Sequence, residues 1–334
     1  MEKILSISIA AYNAEKDIAN CLESLIRSKK FDLLDIIVVN DGSKDQTSEI
    51  VTKYTKKYGQ SIRLVNKENG GHGSTINTSI KYACGKYYKI LDSDDWVNNE
   101  NLDKLVDFLS KTNVDMVLNP YDEIAYDTRI KTRQMNPCEG KISYEKLHEL
   151  DELDKVVLYM HSLTFRREVI QKMGPIIDEN CFYVDMEYCI FPLLHVRNFV
   201  CLEYPIYQYL LGSQTQSMNM ENMIRRRDQH LRVTKRLVVF YNEYADCLNV
   251  KVKEVIALRI KYAVYNQYVI YLHMPLKEAK NELEIFDKWL REQNKELYNG
   301  PKGKIMQFIK INRRFGYKLF VPVTALFKKT GILR

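Results

Sequence analysis

An α/β fold with a mostly parallel central sheet is predicted for residues 3–119. Short apolar runs there alternate with segments whose apolar residues recur at helical spacing. Each run closes on a polar loop. Such alternation gives parallel strands joined by right-handed crossovers. Sheets of this kind bind ligands beyond the carboxyl ends of their strands.

Lys3–Ala10 is the first apolar run, and Ala14–Ser28 follows with Ile18, Cys21, Leu22, Leu25 and Ile26 on one helical face. Asp35–Asn40 is the second run and ends in Asp41-Gly42-Ser43. Gln46–Tyr58 reads as a helix and Ile62–Asn66 as a short strand. The loop Asn69-Gly-Gly-His-Gly73 leads into a helix over Ser74–Ala83. Lys86–Leu91 is a strand, Asn98–Ser110 a helix and Val114–Asn119 a strand. Four polar loops, at Tyr12-Asn13, Asp41–Ser43, Asn69–Gly73 and Asp92–Asp95, therefore collect on one sheet edge.

In Lys86-Tyr-Tyr-Lys-Ile-Leu-Asp92-Ser-Asp94-Asp95-Trp96 an apolar strand runs into three carboxylates. Residues two apart on an extended chain face the same side, so Asp92 and Asp94 face one point. Paired carboxylates suit a hard divalent cation shared with substrate phosphates. That points to chemistry on a nucleotide diphosphate. An acidic triplet at a surface turn is the plainer reading, and the loops upstream favour the site. An EF-hand is excluded, because Val97 stands where that loop needs glycine.

Four segments occur together in the order and spacing of the family 2 glycosyltransferases. They are Ile7-Ser-Ile-Ala-Ala-Tyr-Asn-Ala-Glu15, Ile37-Val-Val-Asn-Asp-Gly-Ser-Lys-Asp-Gln-Thr47, Glu68-Asn-Gly-Gly71 with Asn77, and Leu91-Asp-Ser-Asp-Asp-Trp96. The chain resembles that family strongly over residues 3–120 and more thinly over 121–220. The resemblance implies a nucleotide-binding A-type glycosyltransferase fold, transfer with inversion at the sugar, and a bacterial surface-polysaccharide setting. It implies that Ala11, Tyr12, Asn13 and Glu15 line the nucleotide pocket and that Asp41 meets the base or ribose. Asp92 and Ser93 then lie near the ribose and diphosphate, with Asn69, His72 and Asn77 from the glycine loop. Asp94 becomes the main metal ligand, beside Asp92. Two departures stand out: Ala10 replaces the family's usual proline, and Ile76 replaces the arginine of an Arg-Asn pair. A basic contact near the nucleotide is therefore missing, and His72 is expected to fill part of that role.

An inverting transfer needs a general base on the acceptor side. The family supplies it as the aspartate of a Glu-Asp pair opening a helix. In Phe182-Tyr-Val-Asp185-Met-Glu187-Tyr, Asp185 holds that position and Val184 replaces the glutamate. Asp185 also reads as a helix N-cap, and Glu187 is a second carboxylate on the same segment. Gly212-Ser-Gln-Thr-Gln-Ser217 follows the strand-like Tyr207–Leu211. It resembles the loop that closes over the diphosphate, with Gln216 and Ser217 as contacts; a solvated turn is the alternative. His161 falls where the family places acceptor-facing residues, with Asp95 and Trp96 as further candidates. A buried histidine with its hydrogen bonds met is the other reading of His161.

The chain has 334 residues, enough for one large or two modest domains. Its seven cysteines show no CxxC spacing and an odd total. Reduced cytosolic thiols are expected, not a disulfide framework or a zinc site. No signal peptide is recognised, and no stretch reaches the ~18 apolar residues that span a bilayer.

Residues 1–220 are read as the catalytic domain and 221–300 as a helical add-on. In the add-on, Met223–Asn249, Lys251–His273 and Leu276–Asn294 carry apolar stripes, and Tyr262, Tyr265, Tyr268 and Tyr271 form a packing stripe. Residues 301–334 are read as a basic amphipathic tail. They hold nine Lys or Arg and no acid, leaving 41 basic against 43 acidic residues in the rest. Phe308, Ile311, Phe315 and Leu319 recur at helical spacing before Pro322. A basic stripe with aromatics suits an anionic membrane surface, whereas nucleic acid gives the apolar stripe no role. The alternative is a C-terminal helix packed on the domain.

The expected activity is metal-dependent, inverting hexosyl transfer with Mn2+ or Mg2+, from a UDP-sugar to a hydroxyl of a glycan or lipid-linked acceptor. The expected place is the cytosolic face of a membrane, held peripherally. A polyprenyl-phosphate acceptor is the alternative, weakened by the lack of extra membrane helices. A non-catalytic sugar-nucleotide-binding partner is disfavoured by the presence of Asp41, Asp92, Asp94 and Asp185. The donor sugar, acceptor, linkage and oligomeric state are not written in the sequence.

Overall fold

The structure is a computed structural model. It describes residues 2–317 except 155, 174, 175, 213–215, 218 and 316. Two compact units divide the chain, Met1–Ser213 and Gln214–Arg334.

The first unit opens with β1 (Leu5–Ala11), α1 (Ile18–Ile26), β2 (Leu34–Asp41), α2 (Thr47–Tyr58) and β3 (Ile62–Lys67). It continues with α3 (Gly71–Tyr82), β4 (Tyr87–Asp92), β5 (Trp96–Val97) and α4 (Asn99–Lys111). Next come β6 (Met116–Leu118), β7 (Tyr121–Ala125), β8 (Lys131–Met135) and β9 (Leu147–Glu149). β10 (Leu163–Arg166), α5 (Arg167–Lys172), α6 (Asp185–Ile190), β11 (Asn198–Cys201) and β12 (Tyr207–Leu211) complete it.

Eight strands form the main sheet in the order β3-β2-β1-β4-β10-β6-β11-β9. β3, β2, β1 and β4 are mutually parallel, as the alternation of runs and stripes predicts. β10 runs antiparallel between β4 and β6. All eight residues of β2 are buried, as expected of a parallel strand covered on both faces. Cys21, Leu22 and Leu25 of α1 and Leu102, Leu105 and Leu109 of α4 pack into this core.

Two helices start away from their expected positions, for local reasons. α1 begins at Ile18, not Ala14, because the amides of Ala14 and Glu15 donate to Thr47 Oγ1 at 2.8 Å and to an Asp45 carboxylate oxygen at 3.0 Å. α3 begins inside the glycine loop, at Gly71. A second sheet, β5-β12-β7-β8, is not foreshadowed: β8 is mostly exposed and polar, and β12 reaches Trp96 and Val97 from more than a hundred residues downstream.

The cysteine expectation is corrected in one respect. Cys138 and Cys201 form a disulfide across 63 residues of sequence, while Cys21, Cys84, Cys181, Cys189 and Cys247 are free thiols. Tertiary folding brings the pair together, so spacing in the sequence gives no sign of it.

The second unit is helical. It contains α7 (Met220–Arg225), α8 (Arg227–Tyr244), α9 (Val250–His273), α10 (Leu276–Gln293), α11 (Lys295–Asn299) and α12 (Lys304–Arg314). The stripe expected over Met223–Asn249 is interrupted at Arg226 and ends before Asn249, which caps α9 by accepting from the Lys251 amide. Tyr268 and Tyr271 are buried as packing residues, while Tyr262 is exposed.

The first part of the tail is not a free amphipathic segment. Met306, Phe308, Ile309 and Asn312 of α12 are buried. Arg313 Nε donates to Asp287 Oδ1 at 2.9 Å, and its guanidinium stacks 3.6 Å from the Tyr298 ring centre. Part of the apolar stripe and one of its charges are thus spent on packing. Leu319, Pro322 and the basic residues Lys318, Lys328, Lys329 and Arg334 lie outside the described residues. Among the described residues no helix is long and apolar enough to cross a membrane.

Candidate active site

The ends of β1, β2 and β4, together with the glycine loop, open on a cavity of about 350 Å³. Ala11, Tyr12, Asp41, Asn69, His72, Asp92, Ser93 and Asp94 all line it. So do Ala10, Gly71, Thr75 and Phe182, to which the sequence assigned no pocket role.

The β1 loop is tied to the loop after β2. Asn13 sits at φ 49° and its side-chain oxygen accepts from the Lys44 amide at 2.8 Å. Glu15 accepts from the Gln46 amide at 3.0 Å. Both residues brace the rim, and neither is among the cavity-lining side chains.

Asp41 closes β2 and is 3% exposed. Its Oδ1 accepts from Lys67 Nζ and the Gly70 amide, both at 2.9 Å, and its Oδ2 accepts from the Gly71 amide at 2.8 Å. Lys67 Nζ also donates to Ser74 Oγ at 2.9 Å. Lys67 at the end of β3 is thus a cation committed to holding Asp41, and it is not among the cavity-lining residues. Sequence reasoning missed it, although a cation ending a strand on the ligand edge is a usable signal.

Two glycines of the loop answer to a neighbouring segment of chain. A Cβ on Gly73 would lie 1.9 Å from the Asp178 carbonyl oxygen. Gly71, at φ +78°, lies against the backbone of Asn180 and Cys181. Asn180 N donates to Gly70 O at 2.5 Å. Asn77 donates to Ile177 O at 2.8 Å and accepts from the Ile177 amide at 3.1 Å. Asn77 thus holds this segment and is absent from the cavity lining, which corrects its expected place in the nucleotide pocket. The segment leads into α6, whose first residue is Asp185.

Asp185 is half-buried at the helix start. Glu187 is fully buried, and its Oε2 accepts from the Asp178 amide at 2.8 Å. That removes Glu187 as the fallback base. It is a bracket between α6 and the segment on the glycine loop.

The acidic motif divides its labour. Asp95 is 1% exposed. It accepts from Tyr207 Oη at 2.6 Å and from the Leu210 amide at 2.7 Å, so it fastens β12 and is unavailable to an acceptor. Trp96 pairs with Gln208 in the second sheet and lies under the Arg129 guanidinium. It too is outside the cavity lining. Asp92 and Asp94 face the cavity. Burial pushes the Asp92 carboxyl up, and the charge of Asp185 adds to that push, while His72 opposes it. Burial, then the charge of Asp92, raises Asp94 to about 6. Asp185 is thus a close electrostatic neighbour of Asp92. His72 Nε2 lies 3.5 Å from Asp92 Oδ1 and has no hydrogen-bond partner among the described residues. It is poised toward the cavity.

His161 lies behind Asp92. Its ring stacks on Tyr209 with centres 4.1 Å apart and meets Tyr207 edge-on at 4.7 Å. Donor atoms of Asp92, Asp95 and His161 lie within 4.8 Å of one another. The hydrogen bonds of Asp95 leave Asp92 and His161 of this group with chemistry suited to a divalent cation, a hard carboxylate and an imidazole, while Asp94 lines the cavity but is not in the group.

Lys89 was also missed. It is 1% exposed on β4 and donates to the carbonyls of His161 at 2.8 Å and Leu163 at 3.1 Å. Burial lowers its pKa to about 7. A lysine within an apolar strand is the signal that could have found it. Gln216 and Ser217 belong to the second unit.

A parallel sheet with its ligand edge built from these loops defines a nucleotide-binding A-type glycosyltransferase fold. The fold is that of Staphylococcus aureus TarS 1–349 in complex with UDP, with a TM-score of 0.63 over 94% of this chain and 92% of that one, at 17% identity. The same protein with UDP-GlcNAc gives 0.57 at 18% identity. The sequence profile of Glycosyl transferase family 2 matches residues 6–174, just over half of the chain; the chain belongs to that family. It is 29% identical over 192 residues to the glycosyltransferase EpsJ of Bacillus subtilis, covering 55% of this chain and 54% of that protein. It is 34% identical over 115 residues to the poly(ribitol-phosphate) beta-N-acetylglucosaminyltransferase TarS of S. aureus, covering 34% and 20%. The chain spans about half the length of the first curated relatives it matches.

Proposed function

We propose that the protein transfers a sugar, with inversion, from a UDP-sugar to a hydroxyl of a surface glycan or lipid-linked acceptor. The observation that carries this reading is the convergence of Asp41, His72, Asp92 and Asp94 on one cavity at the strand ends, with Phe182 of the segment leading into Asp185 on its wall. Asp185 is the general base, taking the proton from the acceptor hydroxyl as its oxygen attacks the anomeric carbon. Asp41 and Asn69 hold the nucleoside, with Lys67 fixing Asp41. His72 faces the leaving diphosphate, and Asp92 and Asp94 would hold Mn2+ or Mg2+, with His161 near Asp92. A cation bound there would offset charge on the leaving phosphates.

The nucleotides bound by TarS support uridine diphosphate as the donor carrier. The name of another relative, the minor teichoic acid biosynthesis protein GgaB of B. subtilis, supports a cell-wall glycan setting. The domain reading keeps residues 1–220 catalytic. Peripheral attachment to the cytosolic face of an anionic membrane rests on the sequence of residues 318–334.

A donor screen tests the reading. UDP release should require one UDP-sugar, an acceptor and a divalent cation, and should be lost in Asp185→Asn. Release that is equally fast with chelator, or with Asp185→Asn, overturns it.

A further inference from the structure

A second cavity, of about 320 Å³, opens at the other end of the main sheet. Four basic side chains line it: Arg166 closing β10, Lys172 closing α5, and His195 and Arg197 just before β11. Arg166 pairs with Tyr87, the first residue of β4, whereas Asp92 is its last. Five residues of strand, about 16 Å, separate these positions along β4. The cavity is therefore not part of the transfer site.

Its wall is braced from behind. Asp115 is 1% exposed. Its Oδ1 lies 2.6 Å from an Arg166 terminal nitrogen, and its Oδ2 accepts from the Arg197 amide at 2.9 Å and lies 3.7 Å from Arg197 Nε. One buried carboxylate thus fixes the Arg166 guanidinium and the Arg197 backbone and can offset only one of the two arginine charges, while the Arg197 side chain stays 79% exposed. Arg166 Nε is buried without a hydrogen-bond partner among the described residues. Glu168 is the opposing acid in the lining; it is 64% exposed and 3.8 Å from Arg166. The side chains of Lys172 and His195 have no carboxylate within ion-pair distance among the described residues. Val169 and Leu194 supply an apolar wall.

An orphaned buried N–H on a preset guanidinium, with surplus positive charge around it, is what a phosphate dianion needs. We propose that this cavity is a binding site for a phosphate monoester, separate from the sugar-nucleotide site. The volume exceeds that of a bare phosphate and leaves room for the carbon skeleton the phosphate esterifies. A soluble phosphate ester and the headgroup of an anionic lipid share this chemistry.

The test uses the full chain and the triple variant Lys172→Gln, His195→Gln, Arg197→Gln. All three side chains are exposed, so the variant is expected to keep the wild-type melting temperature and UDP affinity. Glycerol 3-phosphate is titrated calorimetrically at constant ionic strength, and sedimentation with phosphatidic acid vesicles is measured in parallel. Saturable glycerol 3-phosphate binding that weakens at least about tenfold in the variant supports the site. If vesicle binding also drops in the variant, the lipid headgroup is the source; if vesicle binding is the same in both proteins, the soluble ester is. Vesicle binding that drops without any glycerol 3-phosphate binding assigns the site to lipid alone. The proposal is overturned if the wild type shows neither saturable glycerol 3-phosphate binding nor more vesicle binding than the variant. Binding of glycerol 3-phosphate that is equal in both proteins also overturns it. UDP release is read separately, so failure of the transfer reading does not touch this result.

Discussion

Gly73→Ala should damage catalysis more than its chemistry suggests. Within a helix, replacing glycine by alanine normally stabilises by about 1 kcal/mol. Here the added Cβ would sit 1.9 Å from the Asp178 carbonyl oxygen and 2.9 Å from Ile177 Cγ2. Ordinary contact begins at 3.4 Å, so the 177–181 segment must retreat by about 1.5 Å. The Asp178 amide is bonded to Glu187 of α6, so the retreat is passed to the helix that carries Asp185. A misplacement of about 1 Å at a reacting group costs about 100-fold in rate. We therefore expect kcat to fall about 100-fold. Overpacking of this kind costs about 1–3 kcal/mol, which lowers Tm by about 3–10 °C. Nucleotide affinity should fall less than turnover, because Asp41 is held by Lys67 and the Gly70 and Gly71 amides, none of which the new Cβ at Gly73 meets. Steady-state UDP release, calorimetry with UDP and thermal unfolding measure the three quantities. A variant with wild-type turnover and an unchanged or higher Tm would refute the idea that Gly73 exists to dock the Asp185 segment.

Asp185→Asn should retain UDP affinity and lose at least about 100-fold in turnover; a near-normal rate would remove it as the base. Asp94→Ala should abolish the dependence of UDP binding on Mn2+, and calorimetry with and without the ion would show whether that dependence survives. Because Asp94 is raised to about 6, protons compete with the cation there, so apparent Mn2+ affinity should fall as pH drops through 6; a flat profile from pH 7.5 to 5 would count against it. Lys89 is held near 7 when folded and returns to its ordinary 10.5 when unfolded. The unfolded chain binds the extra proton between these values, so wild-type stability should gain on Lys89→Met as pH rises from 7 toward 10. Denaturant unfolding at several pH values measures this, and a constant difference would contradict it.

The periodicity of residues 3–119 was enough to fix the four parallel strands and the edge on which ligands gather. Those strands are continuous apolar runs, and the residues that follow each of them are set by chain order alone. The motif residues were legible for the same reason: Asp92 and Asp94 lie on one side of a strand end whatever else the chain does. The partners of these residues were decided by tertiary contacts. Asp95 reads like its neighbours, yet it is committed to Tyr207 and Leu210 more than a hundred residues away. Glu187 reads as a possible base, yet it is fully buried. Asn77 reads as a nucleotide contact, yet it and Gly73 of the glycine loop meet the 177–181 segment. The tail reads as membrane-facing throughout, yet Arg313 closes on Asp287. A single sequence shows which groups can accept, donate or carry charge. Only the folded chain decides which of them are already used within the protein and which are left for a ligand.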